Sequence, residues 1–226
     1  ARYANSDQIP FLLWMAEVGF FHKWDFKYRD KRFRDLFGLL IGSHLFDASN
    51  INMPNNYHFT RFIGNFHILP ACYSFPFLER CIRFKCHEYV SESGSVKKRF
   101  NIPGERTYEI GRRSISNISH ELKLLYHHVA SSNFQNILNR LMDELNEDSW
   151  LRLPDPYNLI GNWRNKLLHG ENIWSSGFEI STYLISLILL SYISEDEYNS
   201  KIDSLLEHIQ YKQETNSSYL WYVFQI

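Results

Sequence analysis

Residues 154–170, PDPYNLIGNWRNKLLHG, hold the clearest fold signal in the chain. Pro154 and Pro156 suit the first turn of a helix, where a backbone N–H is not needed. Gly170 follows at a point where a helix end requires a residue that adopts positive φ. The sequence therefore predicts a helix that begins near Tyr157 and ends at His169. Its apolar stripe, at helical spacing, consists of Tyr157, Ile160, Trp163 and Leu167.

Helical patterns continue on both sides of this segment. Ser119 is predicted to be the N-cap of a helix that runs to about Ala130, with Glu121 in the first turn, where the helix dipole favours an anion. No strand-like alternation of apolar and polar residues follows Gly111. The fold class is therefore predicted to be all-α. Further helices are predicted over about 134–145, 176–193 and 195–211.

The N-terminal part of the chain has mixed character. Residues 11–40 carry apolar groups at three- and four-residue spacing, which predicts one or two amphipathic helices. Residues 50–76 contain several prolines and asparagines, so irregular chain with short helices is expected there. The aromatic stretch 77–89 fits either a helix or a short strand.

The polar stretch 91–111 contains three glycines and a proline and is predicted to be a long loop. We expect a domain boundary there. Residues 1–110 are predicted to form a mixed, mainly helical N-terminal region to which no role is assigned. Residues 111–226 are predicted to form the helical bundle that carries Arg164.

Charge and composition limit the functional classes. The 24 Lys and Arg residues nearly balance the 25 Asp and Glu residues, and the formal net charge is -1. A chain of this charge is not expected to bind nucleic acid over its whole surface, so any nucleic-acid site must be local. The hydrophobic content of 44% is sufficient for a real core.

The cysteines and the most apolar segment are used to predict the cellular location of the protein. Cys72, Cys81 and Cys86 have no Cys-x-x-Cys spacing, so reduced thiols and a cytoplasmic location are expected. Residues 178–193 are apolar, but they are interrupted by polar side chains and are shorter than the roughly 20 residues that cross a membrane. They are predicted to form a buried helix, and no membrane partner is expected.

Arg and His occur as a closely spaced pair at four places, and only one of these has further distinguishing features. Roughly two such pairs are expected by chance in a chain of this composition. Requiring an Asn directly after the Arg, and four residues between Arg and His, lowers that expectation to about 0.05. Arg164-Asn165-x-x-x-His169 meets both requirements and is followed by Gly170. The other pairs are Arg61 with His67, Arg80 with His87, and Arg113 with His120.

The spacing within this motif bears on its geometry. Asn165 and His169 are four residues apart and share a helix face, whereas Arg164 lies about 140° from His169 around the helix axis. The long Arg side chain could still converge with the His at the helix end. Convergence would be easier if a second copy of the helix faced the first across a twofold axis, so a homodimer is expected.

RNKLLHG, set in a helical run and followed by another long helix, resembles the signature of the HEPN superfamily. The resemblance covers about residues 111–226 and implies an HEPN-like helical bundle. Active members of that superfamily are metal-independent endoribonucleases of toxin–antitoxin, phage-defence, CRISPR-associated and RNA-processing systems. The implied roles are Arg164 as the cation that holds phosphate, Asn165 as the polar residue that positions it, and His169 as the general acid/base.

The reaction implied by the resemblance is attack of a ribose 2′-hydroxyl on the adjacent phosphate, with no metal and no cofactor. An imidazole suits proton transfer near neutral pH, and a guanidinium can bind a phosphoryl group through two hydrogen bonds. The implied partners are an RNA substrate, a second copy of the chain, and an antitoxin or regulatory domain. Superfamily toxins that pair with a nucleotidyltransferase typically have Tyr two residues after the His, where this chain has Glu171. Regulation by modification of such a Tyr is therefore not expected.

Two other functional classes fit the same residues. In the first, the protein is a non-catalytic module of the same fold that binds a nucleotide or a protein. His169 then caps helix carbonyls, and Arg164 pairs with Glu171 or Asp155. In the second, a helical nucleic-acid-binding domain uses its basic segments to contact phosphates. The candidate RNA-binding residues are Lys97, Lys98, Arg99 and Lys166.

Histidines in the predicted helix that begins at Ser119 could in principle hold a metal. His120 and His127 are seven residues apart and lie on one helical face. The residues after His120 lack the second His of a zincin helix, so no metal site is predicted. Arg113 with His120 is a longer-gap variant of the Arg–His pattern without a useful polar neighbour.

Overall fold

The chain is mainly helical in the part that the structure describes. The computed structural model describes residues 35–37, 39–40, 68–112, 114–148, 155–171, 174–192, 194, 196, 199–200 and 203. The mainly helical class is confirmed for these residues, which contain one two-stranded sheet. The elements are α1 (Ile68–Lys85), β1 (Phe100–Asn101), β2 (Thr107–Tyr108), α2 (Ile118–His128), α3 (Ser132–Asp148), α4 (Pro156–Leu168) and α5 (Trp174–Leu190).

The chain divides into two compact units. The first consists of Ala1–Tyr73 with Leu189–Ile226, and the second is Ser74–Ile188. Short helical stretches at 35–37 and 39–40 belong to the first unit and bury Phe37 and Leu40. The predicted boundary near residue 110 falls inside the second unit, and the division into an N-terminal region and a motif-carrying bundle stays a prediction.

Helix α1 begins earlier than the sequence indicated. The expectation of irregular chain over 50–76 is wrong for residues 68–76, and the ambiguous stretch 77–89 is helical as far as Lys85. Pro76 lies inside α1 with its ring exposed, where the missing N–H removes one helical hydrogen bond. Apolar burial explains why the helix forms nonetheless. Its buried apolar residues are Ala71, Phe75, Phe77, Leu78, Cys81 and Ile82.

The three cysteines lie on α1 or directly after it. Cys72, Cys81 and Cys86 are free thiols, of which Cys81 and Cys86 are buried. Burial raises the pKa of the Cys81 and Cys86 thiols well above the ordinary range. Buried neutral thiols of this kind are inert, so these two cysteines serve packing.

A β-hairpin lies within the stretch 91–111, where the sequence predicted only a loop. Phe100 of β1 pairs with Tyr108 of β2 in antiparallel register. Both side chains are buried, and their rings stack with centroids 4.8 Å apart. Gly104 in the turn has a φ of 76°, a conformation that glycine adopts without strain. The prediction of a structureless loop is therefore wrong over these residues.

Helix α2 is capped two residues earlier than expected. The N-cap is Asn117, whose Oδ1 accepts a hydrogen bond from the backbone N–H of Ser119 at 3.0 Å. The Ser119 hydroxyl donates instead to the backbone oxygen of Tyr157 at 2.8 Å and so links α2 to α4. Ser119 as N-cap was wrong, while Glu121 in the first turn is confirmed.

Helix α4 forms as the sequence predicted. Asp155 is the N-cap, and its Oδ1 accepts a hydrogen bond from the backbone N–H of Tyr157 at 2.9 Å. Pro156 occupies the first turn, where its missing N–H has no cost. Of the predicted apolar stripe, Ile160 and Leu167 are buried, and the other two members are half-buried.

A glycine allows α2 and α4 to pack closely. A Cβ atom on Gly161 would lie 2.5 Å from the Ser119 Oγ, nearer than real carbon atoms approach. The helices α2 and α4 make the most extensive contact between elements in the described residues. Because α4 carries the motif, this contact fixes the position of Arg164 relative to α2.

Helix α5 is buried around most of its circumference. Its buried hydroxyls are satisfied within the unit, because Ser181 Oγ donates to Ser74 Oγ at 2.6 Å and Ser186 Oγ donates to the Thr182 oxygen at 2.5 Å. The predicted helices over 134–145 and 176–193 correspond to α3 and α5, while the one predicted over 195–211 lies largely outside the described residues. No helix in the described residues is long and apolar enough to span a membrane.

Replacing Gly161 with Ala is expected to reduce the free energy of unfolding by about 1–3 kcal/mol, because the added Cβ collides with Ser119 Oγ. Without that collision, the same change would stabilise a helix by up to about 1 kcal/mol. Urea unfolding measures both effects. In a Ser119→Ala background, Gly161→Ala should leave the free energy of unfolding unchanged or increase it. An equal reduction in the free energy of unfolding in the wild-type and Ser119→Ala backgrounds would contradict the close contact between residue 161 and Ser119 Oγ.

Candidate functional site

The RNKLLHG motif forms the end of α4. Gly170 has a φ of 78°, and its N–H donates to the Leu167 oxygen at 3.1 Å. The N–H of Glu171 reaches back to the Lys166 oxygen at 2.9 Å. These two bonds are the Schellman pattern of a helix that ends at a left-handed glycine. The predicted glycine stop is confirmed.

His169 is the C-cap residue of α4. Its backbone N–H donates to the oxygens of Asn165 at 3.0 Å and Lys166 at 3.2 Å. Its side chain is exposed and makes no hydrogen bond or ion pair with the described residues. The backbone N–H therefore completes the helix end, and the imidazole is exposed at the end of α4.

Two acceptors hold the Arg164 guanidinium. Its Nε donates to Glu79 Oε1 at 2.8 Å, and its Nη1 donates to Asn165 Oδ1 at 3.1 Å. A guanidinium has five N–H donors, so three remain, one on Nη1 and two on Nη2. These make no hydrogen bond with the described residues. The Arg164 side chain is 28% exposed, so part of it faces solvent.

Glu79 was missed by the sequence reasoning. It lies on α1, 85 residues before Arg164, in the region to which no role was assigned. A signal existed, because a glutamate four residues before Arg83 in a helix favours an ion pair on one helix face. That pattern does not identify the third partner, Arg164.

The two carboxylates that the sequence offered as partners of Arg164 are used elsewhere. Glu171 lies 3.9 Å from the Lys166 Nζ in an exposed ion pair. Asp155 caps α4 and accepts a hydrogen bond from Lys123 Nζ at 2.6 Å. The carboxylate that pairs with Arg164 is instead Glu79, which the sequence did not suggest.

Glu79 belongs to a chain of alternating charges that runs from α2 through α1 to α4. Arg83 donates from Nε and Nη2 to Glu121 Oε1, at 2.8 and 2.7 Å. The same Nη2 lies 3.6 Å from Glu79 Oε2, and Glu79 holds Arg164. Arg83 Nη1 also donates to the backbone oxygen of Glu92 at 3.1 Å. We call Glu121, Arg83, Glu79 and Arg164 the charge chain.

Glu121 is the most deeply buried member of the charge chain, with no exposed surface. Burial raises the pKa of its carboxyl to about 8 and outweighs the opposing effect of Arg83. Its Oε2 is buried and has no hydrogen-bond partner in the described residues. A carboxylate in this setting lacks much of the solvation that normally stabilises its charge.

The predicted RNA-binding residues fall into two places. Lys166 lies on α4, next to Asn165, and its side chain is exposed. Lys97, Lys98 and Arg99 lie between α1 and β1, and none forms a hydrogen bond or ion pair with Arg164 or His169 in the described residues. Their contacts are Lys97 Nζ to the His87 oxygen at 2.9 Å, Lys98 Nζ to the Tyr89 ring centroid at 4.7 Å, and Arg99 Nε to Glu109 Oε1 at 3.0 Å.

A second polar cluster joins the hairpin to α2. His120 Nδ1 lies 2.6 Å from the Tyr108 hydroxyl and 3.3 Å from Arg106 Nη2. A guanidinium only donates, so Nδ1 is an acceptor and the ring proton is on Nε2, facing Glu105. Burial lowers the pKa of His120, which agrees with a neutral ring. Both nitrogens are used, so this imidazole is not free for catalysis.

Lys123 completes this second cluster. Its Nζ donates to Asp155 Oδ2 at 2.6 Å and also to Glu105. Burial alone would lower the pKa of Lys123, but the hydrogen bonds to the two carboxylates raise it. The cluster thus ties the hairpin turn, through Glu105, to α2 and to the N-cap of α4. Its charges are paired with one another, which is typical of a structural role.

The histidines of α2 do not form a metal site with other described residues. No group of three or more His, Cys, Asp or Glu side chains there is arranged to hold a metal ion. His120 is engaged on both ring nitrogens, and His127 is exposed. Arg113, the partner in the longer-gap variant of the motif, lies outside the described residues.

Comparisons with known proteins give no match to a family model, to a curated protein or to a solved structure. The functional interpretation therefore depends on the residues of this chain and on their geometry.

Replacing Gly170 with Ala is expected to reduce the free energy of unfolding by about 1–2 kcal/mol, because a side chain is strained at positive φ. Gly111→Ala is the matched control, since Gly111 has a φ of 72° and both sites have open space around the missing Cβ. Urea unfolding should give similar reductions in the free energy of unfolding for the two variants. In NMR spectra, only Gly170→Ala should shift the His169 ring signals. No loss for Gly170→Ala, or equal shifts in both variants, would contradict this description of the helix end.

Proposed function

We propose that this protein is an HEPN-like, metal-independent endoribonuclease in which Arg164, Asn165 and His169 cleave single-stranded or loop RNA. The mainly helical structure of the described residues is compatible with that fold. Two features of the motif support the proposal: an imidazole exposed at the end of a helix, and a guanidinium oriented within the preceding turn.

The hydrogen bonding of Arg164 is the observation that carries this proposal. Asn165 Oδ1 accepts a hydrogen bond from Nη1 at 3.1 Å, which supports the positioning role that the family resemblance implies for the polar residue. Glu79 fixes Nε and leaves the Nη2 edge for a ligand. A phosphoryl group binds such an edge through two charge-assisted hydrogen bonds. Asn165 and Glu79 thus set the orientation of the cation before RNA arrives.

In the proposed reaction, the ribose 2′-oxygen forms a bond to the adjacent phosphorus, and the bond from phosphorus to the 5′-oxygen of the next nucleotide breaks. A base takes the 2′-hydroxyl proton, and an acid gives a proton to the departing oxygen. The products are a cyclic phosphate and a 5′-hydroxyl. His169 has the chemistry for either proton transfer, and Arg164 offsets the negative charge that accumulates on the phosphoryl oxygens.

One imidazole cannot act as base and acid at the same instant, so we propose that the working form is a homodimer. Two copies of α4 across a twofold axis would supply two His169 side chains to one groove. The setting that follows from the same resemblance is a toxin or phage-defence effector in the cytoplasm, controlled by an antitoxin or a regulatory domain.

One observation favours a non-catalytic module instead. Arg164 donates to a largely buried carboxylate, Glu79, and such a pair can serve the packing of α1 against α4. In that case the same residues would hold the fold together and bind a nucleotide or a protein. RNA cleavage distinguishes the two functions.

Purified protein in EDTA is expected to cleave single-stranded RNA and to leave cyclic-phosphate and 5′-hydroxyl ends. His169→Ala should lower the rate by about 10²–10⁴-fold, because it removes the group that transfers the proton. His127→Ala is the matched control: His127 is an exposed imidazole of α2, and the rate should not change. Gel analysis gives the rates, and mass spectrometry identifies the ends.

Absence of cleavage by the wild-type protein, or cleavage that His169→Ala leaves unchanged, would remove the ribonuclease proposal. The non-catalytic module would then be the better explanation of the motif.

A further inference from the structure

The two ends of the charge chain, Arg164 and Glu121, differ in their hydrogen-bond partners and in their exposure to solvent. At the α4 end, Arg164 is shared between Glu79 and Asn165 and is partly open to solvent. At the α2 end, Glu121 is fully buried, and both of the hydrogen bonds that it accepts arrive from Arg83 at one oxygen, Oε1. The other oxygen has no partner in the described residues. Arg83 is therefore the hydrogen-bonded link between Glu121 and the rest of the charge chain.

Arg83 lies between two carboxylates. Its Nη2 is 2.7 Å from Glu121 Oε1 and 3.6 Å from Glu79 Oε2. It currently hydrogen-bonds Glu121 and lies beside Glu79 without a hydrogen bond. A small movement of this side chain would exchange the two partners, and Glu79 is the carboxylate that holds Arg164.

The charged and titratable groups that face Glu121 come from two helices. Arg83, Glu79 and Cys86 are contributed by α1 and its C-terminal turn, and Arg164 by α4. Arg83 and Arg164 favour the ionised carboxyl, whereas Glu79 and burial oppose it. The Cys86 thiol is itself held neutral by burial, so it contributes no charge.

We propose that Glu121 is a proton-operated switch that controls how strongly Glu79 holds Arg164, and therefore how readily Arg164 binds a phosphate of RNA. This inference depends on the proposed function for its RNA part, but the coupling between Glu121 and Arg164 can be measured without RNA.

The two protonation states of Glu121 give different arrangements. When Glu121 is ionised, Arg83 hydrogen-bonds Glu121 and lies 3.6 Å from Glu79, whose own hydrogen bond is to Arg164. When Glu121 is protonated, Arg83 loses its charged partner and is drawn to the neighbouring Glu79. Two guanidinium groups then share one carboxylate, and the hold on Arg164 weakens. The four residues of the charge chain carry no net charge when Glu121 is ionised and one positive charge when it is protonated. The protonated state therefore also attracts phosphate more strongly.

The pH at which the switch operates follows from the burial of Glu121. The pKa of its carboxyl is about 8 in the folded protein, against an ordinary value of 4.5. The folded state therefore binds the extra proton below about pH 8 and loses it as pH rises through that value. Near neutral pH, Glu79 therefore holds Arg164 less strongly and Arg164 binds phosphate more readily. At alkaline pH, Glu79 holds Arg164 more strongly and phosphate binding weakens.

The coupling can be tested directly by NMR of the Arg Nε–H groups in the wild-type chain. The signals of Arg83 and Arg164 should shift together with a midpoint near pH 8. Glu121→Gln, which mimics the protonated carboxyl, should abolish both shifts. Glu88→Gln changes an exposed glutamate just after α1 and should leave them intact. Because the wild-type titration is informative alone, the test survives even if Glu121→Gln fails to fold.

The second part of the experiment measures RNA affinity from pH 7 to 9. The probe is an RNA oligonucleotide whose ribose at the cleavage site lacks the 2′-hydroxyl, so that it binds without being cut. Affinity should fall by roughly tenfold across this range, the size expected for weakening one charge-assisted contact. Glu121→Gln should keep the higher affinity throughout.

The outcomes separate the two claims. No common titration of Arg83 and Arg164 would overturn the switch, whatever RNA does. A common titration without RNA binding would support the coupling and reject the proposed function. RNA binding that is independent of pH, or that varies with pH equally in Glu121→Gln, would overturn the control of Arg164 by Glu121.

Discussion

The ion pair between Glu79 and Arg164 joins the motif helix α4 to α1 and fixes the direction of the guanidinium. It forms one end of a chain whose inner members, Arg83 and Glu121, are largely removed from water. Ionisable groups in such a setting are tolerated only when they are paired or neutral. The pairing therefore restricts how α1, α2 and α4 can be arranged. The same restriction places Arg164 Nη2, which has no hydrogen-bond partner among the described residues, in the turn before the exposed His169.

Local signals explain why part of this arrangement was predictable from the sequence. The start of α4 at Asp155 and Pro156, and its end at Gly170, are set by residues within one turn of each terminus. The cap of α2 was misplaced because Asn117 and Ser119 are both good N-caps, and the tertiary bond from Ser119 to Tyr157 decides between them. The hairpin was missed because two-residue strands are too short to show alternation.

The sequence predicted only those residues of the candidate site that are close to one another along the chain. Arg164, Asn165 and His169 are close in sequence, and the Arg164–Asn165 hydrogen bond follows from their adjacency. Glu79 is 85 residues away, and no periodicity within either helix relates it to Arg164. Which buried carboxylate meets which cation depends on how the helices pack. The family resemblance began at residue 111 and so omitted α1, which supplies half of the charge chain.

Whether Glu79 and Arg164 act as a pair can be measured by a double-mutant cycle on the free energy of unfolding, with Glu79→Gln, Arg164→Gln and the double variant. We expect a coupling energy of about 1–3 kcal/mol, because each single change leaves a partly buried charge without its partner. The corresponding cycle for Arg164 with Glu171, which pairs with Lys166 instead, should be close to zero. Additivity within about 0.5 kcal/mol for Glu79 and Arg164 would contradict the ion pair on which the site depends.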